Sequence, residues 1–174
     1  MRRVLILSAI LAFLAGPALA QKSGGTLRVS HRDNPPSASI HEDATISTVM
    51  PFMSVYNNLV VFDPKSKQNA PDHIVPDLAT EWAWSADGTA LSFRLRDGVK
   101  WHDGHAFTVD DVLFTFKATA CPLTDAAARR SFLTDLADIQ AEGRTIHFVM
   151  SKPNVYNLRN VVTNLMPIAP KHIF

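Results

Sequence analysis

The sequence predicts a mixed α/β fold, and three observations carry that reading. Leu91, Phe93 and Leu95 alternate with Ser92, Arg94 and Arg96, the period of two that a half-buried strand requires. Val109, Val112, Leu113 and Phe116 recur at i, i+3, i+4 and i+7, which gives a helix one buried stripe. Asp97-Gly98 and Asp103-Gly104 close the alternating runs, and Asp-Gly is the turn chemistry of short antiparallel connections.

The first twenty residues read as an export signal. Arg2 and Arg3 supply the positive start, Val4 to Ala15 are apolar, Pro17 breaks the run, and Ala18-Leu19-Ala20 is an A-x-A site. Cleavage is expected between Ala20 and Gln21. A bilayer span needs about 20 apolar residues, so no stable membrane insertion is expected after cleavage. No cysteine follows the run, which disfavours a lipid anchor, and the Arg pair lacks the polar flank of a twin-Arg signal. The expected location is the periplasm, as a soluble protein.

Next, Thr26 to Ser30 alternates and reads as a short strand after the flexible Gly24-Gly25 pair. Asp33-Asn34-Pro35-Pro36-Ser37 is a turn region. Within residues 46–58, Val49, Phe52, Met53 and Tyr56 fit a helical stripe, with Pro51 tolerable only near the first turn. Leu59 to Phe62 is a short strand ended by Asp63-Pro64. A β-meander is expected over Trp82–Trp84, Leu91–Leu95 and Val99–Trp101, its register set by the Asp-Gly turns. Thr108 with Asp111 matches a capping box for the helix that follows. Residues 122–130 have helical tendency. Ile146, Phe148 and Met150 mark one more strand after Glu142-Gly143, and residues 154–165 fit a helix. The segment 166–174 reads as a loop entering a new helix, so the sequence is expected to be a fragment of a longer chain.

Composition excludes several functions. Lys and Arg number 17 against 16 Asp and Glu, and without Arg2 and Arg3 the formal balance is slightly negative. That argues against nucleic acid, which selects a basic face, and against a polybasic membrane patch. Cys121 is the single cysteine, so no internal disulfide forms, and it is expected to be a small buried apolar residue. His102-Asp103-Gly104-His105 suggests a metal, but one such group supplies too few ligands; no metal and no cofactor are expected. Asp110 and Asp111 are neighbours on a helix and point about 100° apart, so they do not form a catalytic acid pair. No G-x-S-x-G, phosphate loop or partnered cysteine is present, so no catalytic residue is assigned and the chain is not expected to be an enzyme. Trp82, Trp84 and Trp101, expected on neighbouring strands, follow the apolar alternation. A core role is therefore preferred over an aromatic platform for a ligand.

The run from Pro76-Asp77-Leu78-Ala79-Thr80-Glu81-Trp82 through Ser85-Ala86-Asp87-Gly88-Thr89, Leu91 to Gly104 and Phe107-Thr108-Val109-Asp110-Asp111-Val112 resembles the signature of the family 5 extracellular solute-binding proteins. Tyr56-Asn57-Asn58-Leu59 upstream and Pro167-Ile168-Ala169-Pro170-Lys171 downstream resemble flanking family segments. The resemblance implies the two-lobed periplasmic binding-protein fold of the large peptide-binding type, with only the start of lobe one and an inserted small domain present. It divides the chain into signal peptide 1–20, first part of lobe one 21–70, inserted α/β domain 71–165 with the meander, and return segment 166–174. It implies capture of a peptide or small-molecule solute by closure of two lobes, with ABC transporter permease subunits as partners. The loop after the first strand reaches the cleft in that family. Ile40, His41, Glu42, Asp43, Ala44, Thr45 and Ile46 are accordingly the ligand-contact candidates. This loop departs from the family's common pattern, so the ligand is not borrowed from well-known peptide binders. The alternatives are a secreted enzyme or an exported sensor whose site lies in the missing C-terminal part.

Overall fold

The computed structural model describes residues 24–31, 33–154, 158 and 166–174, and the expected signal segment, including Ala20 and Gln21, lies outside them. Residues 24–30 belong to a unit separate from residues 31–174. They form no strand: Leu27 is 87% exposed and Val29 81%. Alternation supplies a strand with two faces but not with a pairing partner, and an unpaired strand leaves its backbone groups to solvent.

The second unit opens with helix α1, Ile46–Phe52. It stops four residues short of the Tyr56 expected as its last stripe residue. Pro51 lies near its C-terminal end, not in its first turn. There the ring removes a backbone donor and crowds the preceding turn, which ends the helix. Strand β1, Val60–Phe62, pairs antiparallel with β2, Ile74–Pro76. A four-stranded antiparallel sheet follows, made of β3 (Ala79–Trp84), β4 (Ala90–Leu95), β5 (Leu136–Glu142) and β6 (Thr145–Met150) in the order β3-β4-β6-β5.

That order corrects the meander. Its first two strands are those expected, but Val99–Trp101 is not the third; β6 takes that place against β4. Lys100 instead bridges Ala106 across the Asp103-Gly104 turn. Gly98 and Gly104 both adopt positive φ, 71° and 92°, so the chain turns at both Asp-Gly pairs, but neither pair joins two strands of the sheet and neither sets its register, contrary to expectation. The tryptophans separate accordingly. Trp82 and Trp84 stand opposite Phe93 and Leu91 on one sheet face, whereas Trp101 lies off the sheet against Phe107, and all three pack against the core.

Helix α2, Val109–Ala120, lies across β5 and β6. Val112 and Phe116 are fully buried, and the Phe116 ring meets Phe148 edge-on at 4.7 Å. Phe148 in turn meets Phe93 at 5.5 Å, so sheet and helix share one aromatic seam. The capping box forms: the Asp111 carboxylate accepts the Thr108 N–H at 2.9 Å. At the other end Cys121 is half-buried, not buried, and Arg130 donates to the carbonyls of Thr119 and Cys121. A cation placed there satisfies carbonyls that the helix leaves open. A short helix, α3, spans Ala127–Arg130, and the rest of residues 122–130 is turn. Most of the helix expected over 154–165 lies outside the described residues; Leu158 is helical and packs on the core.

The core draws on both sides of residue 71. Leu59 and Val60 share it with Leu91, Phe93, Ile146 and Phe148, and Met166 and Ile168 close it from the far end of the sequence.

Candidate functional site

Residues 37–45 form a compact turn built by short polar side chains. The Ser39 carbonyl accepts the N–H groups of Glu42 and Asp43, and Ser37 Oγ accepts that of Ser39. Asp43 then starts α1: Oδ1 accepts the Thr45 N–H at 2.8 Å and Oδ2 the Thr48 hydroxyl at 2.6 Å. These bonds, the Thr48 hydroxyl foremost, hold its carboxyl below the usual aspartate range. The seven residues proposed from the sequence therefore do different things. Ile40 has no exposed surface and anchors the turn in the interior. Asp43 is occupied by local bonds. Ala44 is half-buried, and Thr45 and Ile46 are exposed at the start of α1. His41 and Glu42 border a cavity.

The His41 ring sets the turn against the segment ending the sequence. Its Nε2 lies 2.9 Å from the Pro167 carbonyl, which makes Nε2 the protonated nitrogen, and its ring meets Tyr56 edge-on at 5.1 Å. Burial pushes its pKa below 6.5; the Pro167 bond opposes that shift, and Arg129 adds to it. Arg129 is 1% exposed, reaches the Asp43 carbonyl at 3.4 Å, and is lowered to about 10 by burial. A histidine whose folded pKa is depressed binds fewer protons folded than unfolded. Its contribution is complete above the unfolded value of 6.5 and is lost as pH falls through the lower folded value. Stability should therefore drop as pH falls from 7 to 5, and His41→Gln should flatten that slope. Urea midpoints at matched pH measure this, and equal slopes for both proteins would refute it.

The cavity beside His41 and Glu42 has a volume of about 340 Å³. Its opposite wall is α2, through Phe114, Thr115, Ala118 and Thr119, and Ala169 and Phe174 also line it. Thr115 and Thr119 are buried on the helix, and each hydroxyl bonds the carbonyl one turn back. Thr115 Oγ1 also accepts the Ala169 N–H at 2.9 Å, so these two parts of the lining are tied together. The chamber is mostly apolar, with an imidazole, a carboxylate and hydroxyls at its border. That suits a small solute with an apolar body and a charged end. The wall from α2 escaped the sequence reading, which used the stripe of Val109, Val112, Leu113 and Phe116 alone. Buried threonines spaced i, i+4 beside that stripe were the available signal.

The histidines divide differently from the sequence reading. Asp103, His105 and His172 offer ligand atoms within 4.8 Å of one another, whereas His102 stays out of the group. His172 lies far along the sequence, so spacing alone did not reveal it.

The family model described as bacterial extracellular solute-binding proteins, family 5 Middle, matches residues 73–174. Di/tripeptide-binding protein 4 of Pseudomonas aeruginosa is 32% identical over 135 residues, covering 67% of this chain and 24% of that protein. Among solved structures, MoaA from A. tumefaciens R10 in complex with mannopinic acid aligns with a TM-score of 0.71 at 27% identity, covering 81% of this chain and 28% of that one. A dipeptide-binding protein from Pseudoalteromonas sp. SM9913 in complex with Met-Leu aligns with a TM-score of 0.69 at 24% identity, covering 81% and 30%. At that identity the second likeness speaks to the fold, which is that of the two-lobed periplasmic peptide-binding proteins. The chain spans about a quarter of the length of these relatives. Among the described residues no helix is long and apolar enough to cross a membrane.

Proposed function

Because the chain belongs to the family 5 bacterial extracellular solute-binding proteins, we propose that it is part of a periplasmic solute-binding component of an ABC importer. In this reading residues 31–174 supply one side of a cleft, and a second lobe outside these residues closes over the solute. Residues 71–165 serve as the inserted domain and 166–174 as the strand of chain returning to lobe one. An N-terminal signal delivers the protein to the periplasm, and permease subunits receive the solute. The role is binding and delivery, with no bond made or broken.

The observation that carries the proposal is the cavity of about 340 Å³ between the 37–45 turn and α2, inside the unit that contains the family match. Ligand chambers of binding proteins begin at roughly this size. Glu42 at its border suits an ammonium group, and Phe114 with Ala118 suits an apolar side chain. Small zwitterionic solutes combine the two, which favours di- and tripeptides, the class named for the Pseudomonas relative. The mannopinic acid bound by MoaA keeps sugar–amino-acid conjugates in the panel.

The test is calorimetric titration of the complete two-lobed protein with di- and tripeptides and sugar–amino-acid conjugates. One solute should bind at micromolar strength, and Glu42→Ala should weaken it about tenfold, the effect of losing one charge-assisted contact of ~1.4 kcal/mol. Saturable binding that ignores Glu42→Ala would move the site away from this turn. No binding across the panel would overturn the solute class.

A further inference from the structure

We propose that Asp103, His105 and His172 form a surface site for a divalent late transition-metal ion of the zinc or copper(II) class. This goes beyond solute capture and uses none of the residues assigned to it.

The geometry converges on one carboxylate. His172 Nε2 lies 2.6 Å from Asp103 Oδ2, and His105 Nδ1 lies 3.3 Å from Asp103 Oδ1. The two imidazoles stack on each other, centroids 4.2 Å apart and planes inclined by 27°. Each ring therefore turns a nitrogen toward a different oxygen of the same acid. With both imidazoles neutral, shifting each proton to the opposite ring nitrogen frees two lone pairs beside the carboxylate, and one divalent cation takes the place of the two N–H groups. Imidazole nitrogens bind such ions at about 2.0–2.1 Å and carboxylate oxygens at about 2.0–2.2 Å, so neighbouring ligand atoms sit roughly 3.3 Å apart. The ligand atoms already lie within 4.8 Å of one another, so small side-chain rotations bring them to that spacing. Asp103 is 40% exposed, His105 65% and His172 28%. A mixed nitrogen and oxygen set of this kind suits zinc and copper(II) better than magnesium or calcium. Three protein ligands leave a fourth position open to water.

Both arms of the site are held by other contacts, so their approach is built into the fold. The 101–106 turn is closed by Trp101 N–H to the His105 carbonyl at 2.8 Å, and Asp103 Oδ1 accepts the His105 N–H at 3.0 Å. His172 follows Lys171, whose N–H bonds Asp111 and whose ammonium bonds Asp110. The Trp101 ring lies 6.4 Å from the His172 ring. A bound ion would cross-link the turn of the family signature block to the segment that lines the cavity.

The experiment is titration of the untagged, metal-free full chain with Zn²⁺ by calorimetry and with Co²⁺ by visible absorption. The expected result is one ion per molecule, cobalt bands of low-symmetry coordination, and a thermal midpoint that rises with Zn²⁺. His105→Ala, His172→Ala and Asp103→Asn should each weaken binding at least about tenfold. His102→Ala, which changes the neighbouring histidine outside the group, should bind like the parent. The proposal is overturned by no saturable binding below about 1 mM, by ligand variants that bind like the parent, or by a His102→Ala effect as large as theirs. None of these outcomes bears on peptide binding at the 37–45 turn.

Discussion

Phe148→Ala should remove about 3–5 kcal/mol of stability, the cost of truncating a fully buried aromatic. Phe148 is 1% exposed and stands at the centre of the seam, edge-on to Phe93 from β4 and to Phe116 from α2. Its neighbours cannot collapse into the gap, because Phe93, Leu91 and Ile146 are fixed on paired strands. Each lost aromatic pair adds to the area term by about 0.5–1.5 kcal/mol. A domain of this size has roughly 5–15 kcal/mol in all, so the variant should be near the limit of folding. Urea denaturation followed by tryptophan fluorescence reads the loss as a lower midpoint. Leu123→Ala is the control: at 94% exposed it should change stability by less than about 0.5 kcal/mol. A Phe148→Ala cost below about 1.5 kcal/mol would mean that the seam is not the centre of the core.

The features legible in the sequence were those with a strong local signal. The alternation of Leu91, Phe93 and Leu95 became β4 with all three buried, and that of Ile146, Phe148 and Met150 became β6. Thr108 and Asp111 formed their box. What the sequence concealed was pairing, because an alternating run does not name its neighbour. Strand β5 shows the limit most clearly. Leu136-Ala137-Asp138-Ile139-Gln140-Ala141-Glu142 is poor in β-forming residues and buries Ile139 alone, yet its backbone pairs along β6. Tertiary context overrides propensity on an edge strand. The converse holds at Val99–Trp101, where good strand residues find only one bridge. The site was legible in part. The turn region 33–37 was marked by its Asp, Asn and Pro content, whereas residues 40–46 were reached through the family resemblance, and their partners, α2 and residues 166–174, come from distant sequence. Arg129, buried beneath the 37–45 turn, gave no local sign of burial in an Ala- and Arg-rich stretch.

The pair Asp110 and Asp111 separates contact from energy. Both meet Lys171: Asp110 Oδ2 bonds its ammonium at 2.8 Å, and Asp111 Oδ1 accepts its N–H at 2.9 Å. Asp110 and Lys171 are 58% and 53% exposed, so water and salt screen their attraction, and Asp110→Ala should cost about 0–1 kcal/mol and less in high salt. Asp111 is 4% exposed, and its other oxygen accepts the Thr108 N–H at 2.9 Å and the Trp101 indole N–H at 3.3 Å. Asp111→Ala removes its half of the capping box and leaves part-buried donors without their acceptor, two penalties that together reach about 2–3 kcal/mol. Asp111→Asn should fall between the two, because an amide offers an acceptor to one side only and presents N–H groups to donors on the other. The loss should also reach the cavity. Lys171 N–H on Asp111 and Ala169 N–H on Thr115 are the bonds that lay residues 169–171 along α2, beside the chamber that Ala169 and Phe174 line. Asp111→Ala should therefore weaken solute binding even under conditions where the chain stays folded, whereas Asp110→Ala should not. Urea midpoints at low and high salt, together with the same calorimetric titration, check both halves. Equal costs for the two alanine variants would show that burial does not distinguish these acids, and the strap from α2 to residues 169–171 would lose its physical basis.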